Sequence, residues 1–283
     1  MSIAVLGATG GQGGAVVAAL LEAGHPVRAV VRDPGGGRAR SLAAAGAEVV
    51  PGDLFDAVSL AEAFRGTTAA FAVTTPFQDG LDAEVAQGEA IVRAASDAAL
   101  PHLVMASVAG ADRDTGVPHF ETKARTEELL AASGLPATVV APTYFYDNAL
   151  SGLDEVAAGI LTMPIPGDTP LQQVARRDLG RVVAAVVADP DRWIGRRVEV
   201  AGDDPTPLRM AAEIGRAAGG TVEFRQSSLE ELRTADPDMF AMYNFFVRTG
   251  YQVDLSALRE QFPTVPWTSY GAWADAQDWP RPA

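Results

Sequence analysis

At 283 residues, 48% of them apolar, the chain is long enough for one large domain or two modest ones with a real core, and too apolar for a fibre or a disordered tail. Its 22 basic and 36 acidic residues give a formal charge of −14, a field that repels phosphate backbones and anionic headgroups, so neither nucleic acid nor a membrane surface is an expected partner. With no cysteine and 3 histidines the chain lacks material for disulfides, thiolate chemistry or a metal cluster, and no metal site is expected.

Short β-branched runs predict strands at residues 3–6, 27–31, 48–51, 69–74, 102–106 and 137–141. Ala/Leu-rich patterns between them predict helices near residues 13–23, 38–45, 59–64, 82–98 and 119–133. Several stop at a glycine, as in LLEAGHP and LLAASGLP, where a helix end favours a left-handed residue. Such alternation implies an α/β protein with a Rossmann-type doubly wound parallel sheet. Past Asn148 the rhythm breaks: MPIPGDTPLQQ is rich in Pro and Gly, VARRDLGRVVAAVVADP reads as a helix and RRVEVAG as a returning strand. The division expected is residues 1–150 and 151–283, with a segment near 180–202 returning to the sheet. The opening MSIAVLGATG lacks a basic segment followed by an apolar one, and no apolar run is bilayer-long, so a soluble, cytoplasmic protein is expected.

GATGGQGG follows the first strand directly and opens a helix. Gly7 permits the tight turn, Gly10 lets backbone amides approach a pyrophosphate, and Gly13 allows close helix–sheet packing, which together predict dinucleotide binding. At the end of the second strand an acidic residue would bond the ribose hydroxyl of NAD, whereas Arg32 offers a planar fork for a 2′-phosphate, so NADP(H) is expected in preference to NAD(H). Arg38 and Arg40 follow a run of three glycines and add charge nearby. Asp53 in GDLFD either accepts from the adenine amino group or caps the next helix.

With GATGGQGG, Arg32, GAEVVPGDLFD, AAFAVTTPF, HFETK and APTYFYDN in that order, the chain resembles the NmrA-like family of atypical short-chain dehydrogenases/reductases, and within it the HSCARG-type branch of NADPH-binding redox sensors. The resemblance extends through GDTPLQQVARRDLGRVV and MFAMYNFF to both halves. It implies a Rossmann domain with a smaller α+β C-terminal domain closing a cleft over the nicotinamide. By motif it puts Gly7, Thr9, Gly10, Gly11, Gln12 and Gly13 at the pyrophosphate, Arg32 at the 2′-phosphate, and Asp53 with Leu54 at the adenine. Thr74 and Thr75 would line the ribose side, with Lys123, Tyr144, Phe145 and Asn148 near the nicotinamide. In two respects the chain departs from the family: glycines replace further basic residues after Arg32, and the loop between Phe145 and Asn148 is one residue longer.

Short-chain reductases place Tyr and Lys four apart on the helix after the fifth strand; here that slot reads His119-Phe-Glu-Thr-Lys123. Lys123 is the chain's only lysine, which points to a task that arginine does not perform. The candidate catalytic residues are Lys123, His119, Tyr144 and Ser107. His119 belongs to the residue type best suited to proton transfer near neutral pH, although a neighbouring ammonium disfavours its charged form. Ser107 either orients a carbonyl or caps a loop, and Tyr144 and Tyr146 are further proton donors or cleft-lining aromatics. Phe77, Tyr144, Phe145, Phe245 and Phe246 suggest an aromatic substrate site. Two functions remain open: an NADPH-dependent reductase of a small carbonyl or quinone, or a non-catalytic NADPH/NADP redox sensor acting on a protein partner. The chain is expected to be a monomer or a homodimer.

Overall fold

The structure, a computed structural model describing residues 2–282, begins with the expected alternation. In chain order the first half comprises β1 (Ser2–Val5), α1 (Gly11–Glu22), β2 (Val27–Val31), α2 (Gly37–Ala44), β3 (Glu48–Pro51), α3 (Ala57–Phe64), β4 (Thr67–Ala72), α4 (Leu81–Asp97), β5 (Leu103–Ala106), α5 (Pro118–Ser133) and β6 (Ala137–Pro142). There follow β7 (Tyr144–Phe145), α6 (Leu153–Ala157), β8 (Ile160–Met163), β9 (Gln173–Val174), α7 (Arg176–Ala188), α8 (Pro190–Trp193) and β10 (Arg197–Val200). The chain closes with α9 (Pro207–Ala218), β11 (Glu223–Gln226), α10 (Leu229–Ala235), α11 (Pro237–Arg248), α12 (Leu255–Gln261) and α13 (Tyr270–Ala274).

Seven strands form one sheet in the order β10-β6-β5-β4-β1-β2-β3, with β1 parallel to both β2 and β4. The chain moves outward from β1 to β3, then crosses back to β4 on the other side of β1. This reversal opens the carboxyl ends of β1 and β4, where doubly wound sheets bind ligands. The central strands are buried on both faces, as parallel strands covered by helices must be; Ala4, Val5, Ala70, Phe71, Val104 and Met105 are fully enclosed, whereas the edge strand β3 is only half-buried. A core of Leu6, Leu60, Phe64, Ile91, Leu103 and Met105 packs α3 and α4 onto the sheet. No helix among the described residues is long and apolar enough to cross a membrane.

The chain divides into two compact units. One runs through Asp114 and adds His119–Ala141 and Leu179–Glu199; the other comprises Thr115–Pro118, Pro142–Asp178 and the chain from Val200 onward. Residues 142–150, expected with the nucleotide-binding half, thus group with the second unit, whereas β10 lies beside β6 in the large sheet. Within the second unit β8 pairs with β11 and β7 with β9, both parallel. Its core includes Tyr146, Tyr270 and Trp273, with the Tyr146 and Tyr270 ring centroids 5.2 Å apart. Tyr146 donates its hydroxyl to the Thr268 carbonyl at 3.0 Å and is fully buried, which makes it a core residue and not a proton donor to substrate.

At the opposite end of the sheet, His102 precedes β5 and is buried. Thr138 Oγ1 donates to the Trp193 carbonyl at 2.8 Å, so His102 Nε2, 2.8 Å from that hydroxyl, carries the proton it donates. Nδ1 is left enclosed without a hydrogen-bond partner. Burial drives the imidazole down to about 4. The folded state therefore resists a proton that the unfolded chain accepts. Stability is expected to be full above about pH 6.5 and to fall by about 2–3 kcal/mol as pH drops toward 4. Urea unfolding of the parent and of His102→Gln across this range checks it; the variant should lose less.

Candidate functional site

The loop between β1 and α1 is shaped by its glycines. Gly7 adopts φ +62°, in the left-handed region. A Cβ at Gly13 would lie 2.2 Å from the Gly7 carbonyl oxygen, so only glycine lets α1 begin this close to the strand. Gly10 caps α1 without a side-chain hydrogen bond, and no acidic residue sits in the first turn. The first amides of α1 thus point outward with the positive end of the helix dipole, a seat for an anion. Gln12 Oε1 is enclosed there with no hydrogen-bond partner. A cradle that a Cβ would fill, uncapped amides and an orphaned polar atom fit the pyrophosphate of a dinucleotide.

Arg32 is exposed just past β2, its Nη2 3.5 Å from Gln78 Oε1. Of the two arginines after the glycine run, Arg38 turns to the loop and donates to the Thr9 carbonyl at 3.2 Å, whereas Arg40 folds back onto the Gly35 carbonyl. Beyond β3, Asp53 Oδ1 accepts from Phe55 N at 3.0 Å. It does not cap α3; that role belongs to Asp56, which accepts from Val58 N. Leu54 packs against the core, so its side chain serves the fold.

Thr74 and Thr75 follow β4, beside the glycine loop: a Cβ on Gly7 would lie 2.9 Å from Val73 Cγ1. Lys123 reaches this turn from α5. Its ammonium donates at 2.8 Å to the Thr74 carbonyl and at 2.8 Å to Thr74 Oγ1, and it pairs with Glu84 Oε1 at 2.8 Å. The positive charge of Lys123 is therefore matched by a carboxylate. His119 itself is buried, its ring centroid 5.7 Å from exposed Phe77 and 4.9 Å from Phe120. Ser107 sits past β5 and donates to Glu127, which also accepts from Arg197 Nε at 2.9 Å; Arg197 in turn pairs with Glu199 at 2.9 Å. That ion-pair cluster engages the serine proton, leaving only its lone pairs for another partner.

Tyr144, Phe145 and Asn148 belong to the second unit. Tyr144 Oη is 3.3 Å from Tyr243 Oη, and its ring meets Phe246 edge-on at 5.7 Å. Burial, then the neighbouring Tyr243, raises the Tyr144 phenol well above its usual range, against a smaller opposing effect from a hydrogen bond with Asn148. Phe245 and Phe246 are buried in the same cluster, and Arg176 lies 5.6 Å over the Phe145 ring.

Sequence reasoning missed Glu84, Gln87, Thr122, Glu127 and Tyr243. For two of them a signal existed: α4 buries Glu84 and Gln87 in the same stripe as Gly88, Ile91 and Ala95, and an acid inside an apolar stripe requires a partner.

The chain is similar to several known proteins. A (4-alkanoyl-5-oxo-2,5-dihydrofuran-3-yl)methyl phosphate reductase of Streptomyces griseus is 30% identical over 235 residues, 82% of this chain and 79% of that protein. An NAD(P)H azoreductase of Xenophilus azovorans is likewise 30% identical, with the same coverage of 82% and 79%. The crystal structure of an Escherichia coli NADPH-dependent quinone oxidoreductase complexed with NADPH shares the fold at a TM-score of 0.80, with 24% identity over 96% of this chain and 98% of that one. The profile of the NmrA-like family matches residues 1–269, which takes in the glycine loop, the arginine after β2, the Lys123 slot and the Tyr144 segment in one alignment, and the chain belongs to that family.

Proposed function

We propose that this chain is an oxidoreductase that takes NADPH in preference to NADH and reduces a small carbonyl or quinone. The observation that carries the reading is the Gly7–Gly13 cradle with Arg32 and Arg38 beside it. Relatives named as a reductase and as an NAD(P)H azoreductase support it. Gly10, Gly11, Gln12 and Gly13 hold the pyrophosphate by backbone amides, Arg32 and Arg38 meet the 2′-phosphate, and Thr74 and Thr75 line the ribose. When bound, NADPH supplies a hydride; the acceptor also takes up one proton. His119 is the candidate donor in the nucleotide-binding unit, and Tyr144, kept protonated by its burial, in the second. Substitution tells them apart: His119→Phe should lower kcat by roughly 10²–10⁴ if the histidine gives the proton, and Tyr144→Phe by as much if the tyrosine does.

The test is loss of NADPH absorbance with the purified protein and a panel of quinones and aldehydes. Turnover with at least one acceptor is expected. None, with NADPH still bound, would return the chain to cofactor binding without chemistry.

NADPH should bind more tightly than NADH by about 1.5–3 kcal/mol, the worth of charge-assisted hydrogen bonds to the 2′-phosphate. Arg32→Ala should erase most of this gap and Arg38→Ala a smaller part, both measured by calorimetry. Equal affinity in the parent would sink the assignment.

A further inference from the structure

An ammonium has three N–H donors and no acceptor. In Lys123 all three have partners inside the protein: the Thr74 carbonyl, the Thr74 hydroxyl and the Glu84 carboxylate, each at 2.8 Å. Glu84 is fully enclosed, and its other oxygen accepts from Thr122 Oγ1, one residue before the lysine. Thr74 Oγ1 completes the circuit by donating to Glu84 Oε1 at 3.0 Å. One turn further along α4, Gln87 Oε1 accepts from the Thr75 amide at 3.1 Å. The turn after β4 is thus held at a carbonyl, a hydroxyl and an amide by two helices.

The helices meet closely because of one glycine. A Cβ on Gly88 would lie 2.7 Å from Thr126 Oγ1, so only glycine there lets α4 and α5 come near enough for Glu84, one turn earlier, to reach Lys123. Arginine does not replace the lysine: its planar fork cannot converge on three acceptors gathered around one nitrogen. The single lysine of an otherwise arginine-only basic set stands where that convergence is required.

We infer that Lys123 is a positioning residue: paired with the buried Glu84, it clamps the Thr74–Thr75 turn beside the glycine loop, and it neither bonds the cofactor nor moves a proton. Its bearing on NADPH rests on the function proposed above. The clamp itself is a property of the protein alone.

The experiment compares the parent with Glu84→Gln, Lys123→Met and the double variant by NADPH titration, steady-state kinetics and amide hydrogen exchange. Each single variant leaves one buried charge unpaired and should weaken NADPH about tenfold or more, with faster exchange at the Thr75 amide. The double variant lacks the whole clamp and should bind NADPH no more weakly than either single variant, the non-additivity expected of a coupled pair. A double variant as weak as Lys123→Met, with Glu84→Gln near the parent, would show that the lysine bonds the cofactor, and would overturn the inference. So would a double variant with restored Kd and kcat lowered about 100-fold, the mark of a lost proton-transfer group. Should the lysine variants fail to fold, Glu84→Gln alone decides: a fully enclosed carboxylate can alter NADPH affinity only through the clamp, and an unchanged Kd rejects it. If the parent binds no NADPH the functional reading falls, and the Thr75 exchange rates alone score the clamp; equal protection in all four proteins refutes it.

Discussion

Gly13→Val is expected to weaken NADPH and NADH together by roughly 100-fold or more, about 2.7 kcal/mol, while the protein keeps its fold. Even the first carbon of the new side chain would stand 2.2 Å from the Gly7 carbonyl oxygen and 2.5 Å from its carbon. That carbonyl is not free to move aside, because it accepts from the Gly10 amide at 2.8 Å and so shapes the loop. Relief requires α1 to back away from β1, which withdraws the amides that face the pyrophosphate. Loss of both cofactors in parallel separates this effect from that of Arg32→Ala, which acts only where the 2′-phosphate exists. Calorimetry with both nucleotides and a thermal melt of the variant make the check; unchanged binding would mean that the phosphates lie elsewhere.

Gly180→Val, by contrast, should strike stability first. Gly180 lies on α7 where that helix crosses α1, and a Cβ there would sit 2.4 Å from the Ala15 carbonyl oxygen and 3.2 Å from Ala19 Cβ. The obstacle is helix backbone, which cannot rotate away as a side chain would. Overpacking of this kind costs about 3 kcal/mol, and for a protein of this size the melting temperature should fall by roughly 6–12 °C. Differential scanning calorimetry of the parent and the variant tests it. A melt unchanged within about 2 °C would mean that the two helices separate without penalty.

Much of the architecture was legible in the chain because its determinants are local. The strands at residues 27–31 and 48–51 coincide with β2 and β3: VRAVV is the short apolar run of a buried parallel strand, and EVVP, half-buried at the sheet edge, is a β-branched pair bounded by turn residues. The helix expected at 119–133 begins one residue earlier, at Pro118, whose fixed φ suits a first turn. The glycine loop was equally plain: the need for no side chain at Gly7 and Gly13 is met within seven residues of sequence. Other readings required the fold. Nothing in GGGRAR distinguishes Arg38, which reaches Thr9, from Arg40, which returns to Gly35. Nothing in YFYDN separates Tyr146, sealed beneath Thr268, from Tyr144 beside Tyr243.

The division follows range. Periodicity, turn chemistry and glycine placement act over a few residues, and so the sequence by itself determined the strand and helix succession of the first half, the doubly wound class and the position of the dinucleotide loop, but not β7, β8, β9 and β11 of the second half. The partners of charged and polar side chains are chosen across the fold: Lys123 meets Thr74 from 49 residues away, and Arg197 meets Glu127 from 70. Only the tertiary structure decided that Ser107 gives its proton to Glu127, that Glu84 neutralises the lone lysine, and that Asp56 rather than Asp53 caps α3. Burial makes such pairings obligatory, because an enclosed charge or hydroxyl must find a partner, and which partner it finds depends on how closely the backbones approach.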